Sequence, residues 1–405
     1  MHSLGSHLIL RPKCRVRRPF LKLQDVSEAI RTGQFVRNAC LRFWMDGENV
    51  SKNDLYRHTT SLRANVEWAG KLNSTAVQAA GERAWSAISR FYDRHKKGLK
   101  PVGYPQFKKN ARSVEYKQSG WKLDAINKRL TLTDGFKIGV LKLKGTWDLM
   151  LYRKEDIKRL RIVRRADGYY AQFLVDVERH FDLEPTGKTI GLDVGLKSFY
   201  TDSTGHEEPN PRFYRKAEQK LRKMQRQVGR KVKSSRNRKK AVARLGRTHL
   251  KVQRQRKDHA VKLARCVVTS HDVVAFEDLN VRNMIRSRTL SKSIGDAGWR
   301  EFRTWIEYFA RIMGKVAIPV NPAYTSQICS GCGQTVKKDL KIRRYVCGCG
   351  LNLDRDHNAA INILRTGLRM AGHARTTGPT QETPVETGED QRSLAPVAEA
   401  GISPF

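Results

Sequence analysis

Cys329-Ser-Gly-Cys332, Cys347-Gly-Cys349 and Asp354-Arg-Asp356-His-Asn358-Ala-Ala follow one another near the C-terminus, and their reading decides the fold. Two closely spaced cysteine pairs are the usual layout of a structural zinc site, where four thiolates on two knuckles complete a tetrahedron. The second pair is Cys-x-Cys instead of the commoner Cys-x-x-Cys, but Gly348 and Gly350 leave its backbone free to turn both sulfurs inward. Cys329, Cys332, Cys347 and Cys349 are therefore the expected Zn2+ ligands. The acidic run after them opens a helix, whose exposed N–H groups tolerate an anion. Asp356 then reads either as a helix cap or as a functional carboxylate.

The other three of the seven cysteines, Cys14, Cys40 and Cys266, are isolated, which fits a reducing cytoplasm with one metal site better than a disulfide framework. Across 405 residues, 79 Lys and Arg stand against 39 Asp and Glu, a formal charge of +40. Such an excess opposes compaction unless a polyanion neutralises it, so nucleic acid is the expected partner. No apolar run approaches the roughly 18 residues a membrane span needs. Met1–Phe20 is interrupted by Arg11, Lys13, Arg15, Arg17 and Arg18, which is no signal peptide. The expected location is cytoplasmic and nucleoid-associated, with no membrane partner.

Residues 7–20 read as an extended basic stretch and Leu23 to about Lys97 as helical, with Ala76, Ala80, Trp85, Ile88 and Phe91 at helical spacing. Strand patterns return from Trp121 to Leu151. A hairpin follows: Leu160–Arg165, the turn Ala166-Asp167-Gly168, then Tyr169–Val177. These residues predict an antiparallel barrel or curled sheet with a helical insertion. Arg212–Arg265 holds 22 Lys and Arg but two acids, Glu218 and Asp258, a charge of +20 in 54 residues. Ser234-Ser235 and Asn237 suggest a turn between two long helices there. A solvated face normally mixes both signs, so this one points to phosphate contact, with Arg236, Arg238, Lys239 and Lys240 as candidates. Residues 373–405 are poor in large apolar side chains and predict a disordered tail.

Three carboxylates stand out by position. Asp193 lies inside the apolar strand Thr189-Ile-Gly-Leu-Asp193-Val-Gly195, Glu277 ends the apolar strand in His271–Asn280, and Asp356 opens the last helix. Acids on buried strands need a cation, a hydrogen-bond set or a metal. Together the three match a site for two hard divalent cations, Mg2+ or Mn2+, about 3.5–4 Å apart, able to activate a water and stabilise a leaving oxygen in phosphodiester hydrolysis.

Residues 189–372 resemble the TnpB family of transposon-encoded, RNA-guided DNA endonucleases, relatives of the compact type V CRISPR effectors. The motifs are Gly191-Leu-Asp193-Val-Gly195, Phe276-Glu277-Asp-Leu-Asn280, Asp296-Ala-Gly298-Trp299, Tyr324-Thr-Ser326-Gln327-x-Cys329-x-x-Cys332-Gly333 and Asp354-Arg-Asp356-x-Asn358-Ala-Ala-x-Asn362. The N-terminal half resembles it more loosely, through Gln34-Phe-Val-Arg-Asn38, Val77-Gln78, Phe91-Tyr92 and Gly103-Tyr-Pro-Gln-Phe107-Lys108-Lys109.

The resemblance implies an α+β multidomain protein. It would comprise a wedge-type β-barrel over 1–183 interrupted by a helical recognition lobe at about 23–97, and a RuvC-like RNase H domain over 184–322 that includes the basic hairpin 212–265. A zinc ribbon at 323–350 and a last RuvC helix at 351–372 would follow. It also implies a RuvC triad of Asp193, Glu277 and Asp356, with Asp354 the less favoured third ligand. Gln78 would face a short duplex motif beside the target, and Arg343 would steer the substrate strand. The partners would be a guide RNA and double-stranded target DNA, with one RNA on a monomer. Two other readings share these residues: a guided DNA-binding repressor that does not cut, and a guide-free RuvC-type resolvase. The complete set of acids argues against the first, and the large basic N-terminal lobe against the second.

Overall fold

A computed structural model describes residues 7–10, 13–17, 20–145, 149–178, 180–181, 183–286, 289–336 and 342–376. They divide into two compact units: 1–183 with 212–262 and 312–314, and 184–211 with 263–311 and 315–405.

The first unit begins with β1 (His7–Leu10) and β2 (Lys13–Arg17), followed by helices α1 (Phe20–Asp46), α2 (Lys52–Asn65), α3 (Glu67–Gly70) and α4 (Ser74–Lys96). Six strands then complete its sheet: β3 (Ser113–Lys117), β4 (Trp121–Asp124), β5 (Arg129–Leu132), β6 (Val140–Lys144), β7 (Ile157–Arg165) and β8 (Gly168–Glu178). The β7–β8 hairpin forms as the sequence predicts, with Arg165 opposite Gly168. Along β8, Tyr169, Ala171, Phe173 and Val175 point inward with a period of two. Val26, Leu41, Leu55, Val77 and Ile88 of the helices share one core with Val114, Leu141, Leu160 and Phe173 of the sheet.

The expected barrel does not close. The antiparallel order β3-β7-β8-β2-β6-β5-β4, with β1 also on β8, leaves β3 and β4 as edges. The short 3-10 turn Gln118–Gly120 separates these two strands, and the hydrogen bond from Thr133 N to Gly120 O beside it only extends the β4–β5 ladder.

Basic helices α5 (Phe213–Gly229) and α6 (Arg236–Ser270) follow. Residues 212–262 group with the first unit, where Arg254 pairs with Asp167 at 2.9 Å and donates to the Tyr170 hydroxyl at 2.8 Å.

The second unit is built on β9 (Thr189–Val194), β10 (Ser198–Asp202), β11 (Glu207–Pro209), β12 (Val273–Glu277) and β13 (Val316–Val320), ordered β11-β10-β9-β12-β13. β9, β12 and β13 run parallel, and β10 and β11 are antiparallel additions. Helices α7 (Val281–Met284), α8 (Ser291–Ala297) and α9 (Trp299–Ile312) link β12 to β13. α9 buries Phe302, Ile306 and Ala310 at helical spacing, and Phe302 lies 5.0 Å from Phe199 of β10. After β13 come the first cysteine pair, the two-stranded ladder β14 (Arg344–Val346) and β15 (Asn352–Asp354), and α10 (Arg355–Thr376). α10 thus runs past the expected helix end into the expected disordered tail 373–405, of which 377–405 lie outside the described residues.

α10 packs across β9, β12 and β13, and glycine sets its distance. A Cβ on Gly191 would fall 2.7 Å from the backbone nitrogen of Leu364 and nearer still to Ala360 O. Farther along, a Cβ on Gly367 would fall 2.6 Å from that of Ala275. Gly191 therefore serves the close approach of helix and strand. Gly191→Ala should destabilise the second unit by about 1–3 kcal/mol, because neither backbone can yield like a flexible side chain. Gly229→Ala, which meets no atom within 4 Å at the end of α5, is the matched control. Denaturant titration of both variants checks this, and equal midpoints would refute the close approach.

Candidate active site and cysteine cluster

Parallel pairing of β9 with β12 aligns Leu192 with Phe276, which sets Asp193 and Glu277 side by side at the next position. α10 brings Asp356 to the same place, and Asp193 feels its charge. Burial pushes the Asp193 carboxyl well above its ordinary value, and the charges of Glu277 and Asp356 add to the rise. Burial also raises Glu277, against the opposing effect of Thr325, whose hydroxyl donates to Glu277 Oε1 at 2.7 Å. The structure thus brings together all three acids expected from the sequence.

Asp356 does not cap its helix. Asp354 does: its Oδ1 accepts from the Asp356 backbone N–H at 2.8 Å. This leaves the Asp356 carboxylate to Arg343 Nη1 at 3.1 Å and Arg355 Nη2 at 3.3 Å. Arg343 is half-exposed. Beside Glu277, a cleft of about 590 Å3 is lined by Asn280, Arg282, Trp299, Arg300 and Arg303, among others.

The four cysteines lie with their sulfurs within 4.8 Å of one another; Cys329 is 3.7 Å from Cys349, and Cys332 is 3.6 Å from Cys347. Zn–S bonds of about 2.3 Å in a tetrahedron set sulfurs about 3.8 Å apart, so the thiols fit one such ion. Gly350, at φ 89°, closes the short second knuckle, and Cys347 N donates to Leu351 O at 2.9 Å. Burial opposes ionisation of Cys329, but the N–H groups of Cys332 and Gly331 and the neighbouring thiols outweigh it and bring the thiol down to about 6. Cys40 and Cys266 stand outside the cluster.

Sequence reasoning missed the residues that join cluster to acids. Asn358 accepts from Ser330 N at 2.9 Å and donates to Ile328 O at 2.8 Å. Asn362 donates to Thr325 O at 2.9 Å and Ile328 O at 2.7 Å, and Arg365 to Ser330 O at 2.9 Å. One face of α10 therefore grips the first knuckle by its backbone. The signal lay in the motif that carries Thr325, Asn358 and Asn362, but nothing in it says what they touch.

The nucleic-acid candidates are dispersed. Gln78 is exposed on α4 and accepts from Lys117 Nζ at 3.3 Å. Arg236, Arg238, Lys239 and Lys240 form the first turn of α6, just past the expected inter-helix turn, with Arg236, Lys239 and Lys240 exposed and Arg238 half-buried.

The purified protein should carry about one zinc, and Cys347→Ser should lose it while Cys266→Ser keeps it. Metal analysis of both variants decides this; unchanged zinc in Cys347→Ser would overturn the cluster as a metal site.

The "Probable transposase" family OrfB_IS605 matches residues 172–288, and the "Cas12f1-like, TNB domain" family matches residues 299–363. A protein named "Putative RNA-guided DNA endonuclease" from Streptomyces pristinaespiralis is 31% identical over 361 residues, 85% of this chain and 86% of its own. InsQ of Escherichia coli K12, named in the same way, is 29% identical over 79% of this chain and 84% of its own. Among solved structures, Cas12f1 in its complex with sgRNA and target DNA aligns at TM-score 0.51 and 13% identity, over 84% of this chain and 82% of that one. The mini-RNA-guided endonuclease CRISPR-Cas_phi3 aligns at 0.55 and 9% identity, over 91% and 93%. At those identities the likeness is one of fold, the mixed α/β architecture of compact effectors. With both family segments in order and 31% identity to the Streptomyces protein across 85% of this chain, the chain belongs to the TnpB family of OrfB-type, transposon-associated proteins.

Proposed function

We infer that the protein is an RNA-guided DNA endonuclease that cuts target DNA beside a short flanking motif. The convergence of Asp193, Glu277 and Asp356 on one site, from two parallel strands and a helix, carries the reading. The sheet order and strand directions of the second unit support a RuvC-like RNase H fold, and the four-thiol knuckles support a zinc ribbon. A carboxylate group of this kind suits Mg2+ or Mn2+. When bound, the ions would supply an activated water and charge stabilisation for the leaving oxygen.

The chain's own part is placement. Asp193 and Glu277 are fixed by strand pairing, and Thr325 orients Glu277 by its hydrogen bond. Asp354 occupies the capping role and so leaves the Asp356 carboxylate for the ions. Arg343, Arg355 and the arginines of the adjoining cleft offset the charge of acids and DNA phosphates together. Base pairing by a guide RNA would choose the sequence, with α5 and α6 contributing phosphate contacts and Gln78 facing the flanking duplex.

Asp193→Ala should abolish cleavage in Mg2+ while leaving nucleic-acid affinity near wild type. The test is a cleavage assay beside a binding titration of the guide-loaded protein; full cutting would sink the assignment.

A pH effect follows from the raised carboxyls. The folded, metal-free site keeps protons that the unfolded chain releases, so its stability should fall as pH rises through the raised values. Metal displaces those protons, so Mn2+ affinity should weaken as pH falls, with proton release on binding. Calorimetry in two buffers of different ionisation enthalpy counts the protons, and none released at mildly acidic pH would contradict the site.

A further inference from the structure

Two segments that the site does not use meet in the first unit. Gln34, Arg37 and Asn38 of α1 hold the stretch from Gln106 to Ala111 by its backbone. Asn38 donates to Lys108 O at 2.9 Å and accepts from Lys108 N at 2.9 Å. Arg37 donates to Gln106 O at 3.2 Å, and Gln34 accepts from Ala111 N at 2.5 Å. At the other end Arg94 donates to Pro101 O at 2.7 Å. The loop is thus fastened to α1 and α4, and Pro105 is buried beneath it.

What the loop presents is aromatic. Tyr104 is 54% exposed and Phe107 40%, and Tyr92 at the end of α4 is 52% exposed. Tyr104 and Tyr92 flank Trp44, with ring centroids 5.7 and 6.0 Å away, and the Arg42 guanidinium lies 5.1 Å over Phe107. Between Arg90 and Arg112 the chain carries eight Lys and Arg against one acid, Asp93. Exposed rings gathered in one place mark an interaction site, and the positive charge around them favours an anionic partner. Nucleobases on a phosphate backbone have that chemistry: rings stack on bases of any sequence while cations track the phosphates.

We propose that Tyr92, Tyr104 and Phe107 form a stacking platform for unpaired bases of single-stranded DNA. The choice of DNA rests on the function proposed above. Tyr92 lies fourteen residues after Gln78 on α4, a little short of four turns, so both fall on one side of the helix about 21 Å apart. Strands parted beside a duplex held at Gln78 would reach the platform within a few nucleotides.

The test uses the full-length protein and a fluorescent single-stranded DNA 20-mer, with an abasic 20-mer of equal charge and an RNA 20-mer of the same sequence. Tyr92→Ala/Tyr104→Ala should weaken DNA binding at least tenfold, since each stacked base contributes roughly five- to a hundred-fold. Tyr92→Phe/Tyr104→Phe should keep wild-type affinity, and the abasic strand should not distinguish any of them. Tyr92→Leu/Tyr104→Leu keeps the apolar contact with Trp44 without a stacking face, so it gives the same reading if the alanine variant loosens the fold. Unchanged DNA affinity in the alanine and leucine variants overturns the platform, and a loss confined to the RNA strand overturns the assignment to DNA. Asp193→Ala, run alongside, should bind the DNA 20-mer as wild type does. Failure of the nuclease reading would show in its cleavage, and failure of the platform in the tyrosine variants.

Discussion

At Gly191 the backbone of β9 and the backbone of α10 come too close for any side chain to stand between them. Much of the second unit follows from that contact. The helix that lies so close carries Asp356 at its start, Asn358 and Asn362 in its first two turns, and Gly367 against Ala275 farther on. A helix held at two glycines can neither slide nor lift without losing buried surface, so its N-terminus is fixed to the sheet end where Asp193 and Glu277 emerge. The knuckle gripped by Asn358 and Asn362 is then fixed as well, and Thr325, on the way into that knuckle, reaches Glu277.

The site is electrostatically expensive. Three half-buried carboxylates converge there, and burial is the largest cause of the rise at Asp193 and Glu277. Arg343 and Arg355 offset part of the cost at Asp356. Such an arrangement is poor for stability alone, since apolar residues would pack there at lower cost. Its assembly from two strands and a helix points to a task that needs concentrated negative charge.

How much of this was legible depended on the range of the interaction. Asp193 and Glu277 stood out because an acid inside an apolar strand contradicts its surroundings, and the cysteines because zinc ligation has a spacing. The β7–β8 hairpin was readable from alternation and a local turn. Which of Asp354 and Asp356 caps the helix could not be read in advance, because it depends on where the chain enters from β15. Thr325, Asn358 and Asn362 look like ordinary polar residues until the knuckle and helix are folded together. The open sheet was hidden for a similar reason: strand patterns give the strands, but whether β3 and β4 meet depends on the turn between them. The role of Gly191 was hidden because a missing side chain does not say which neighbour needs the room.

The reciprocal bonds between Asn38 and Lys108 have a consequence for how the protein can change. They engage main-chain atoms, so the support they give does not depend on which side chains the loop displays. Tyr104, Phe107, Lys108 and Lys109 are exposed, displayed as the side chains of framework-mounted loops of binding proteins are. A lineage could exchange those side chains one at a time and acquire a different surface preference while the helices beneath stay as they are.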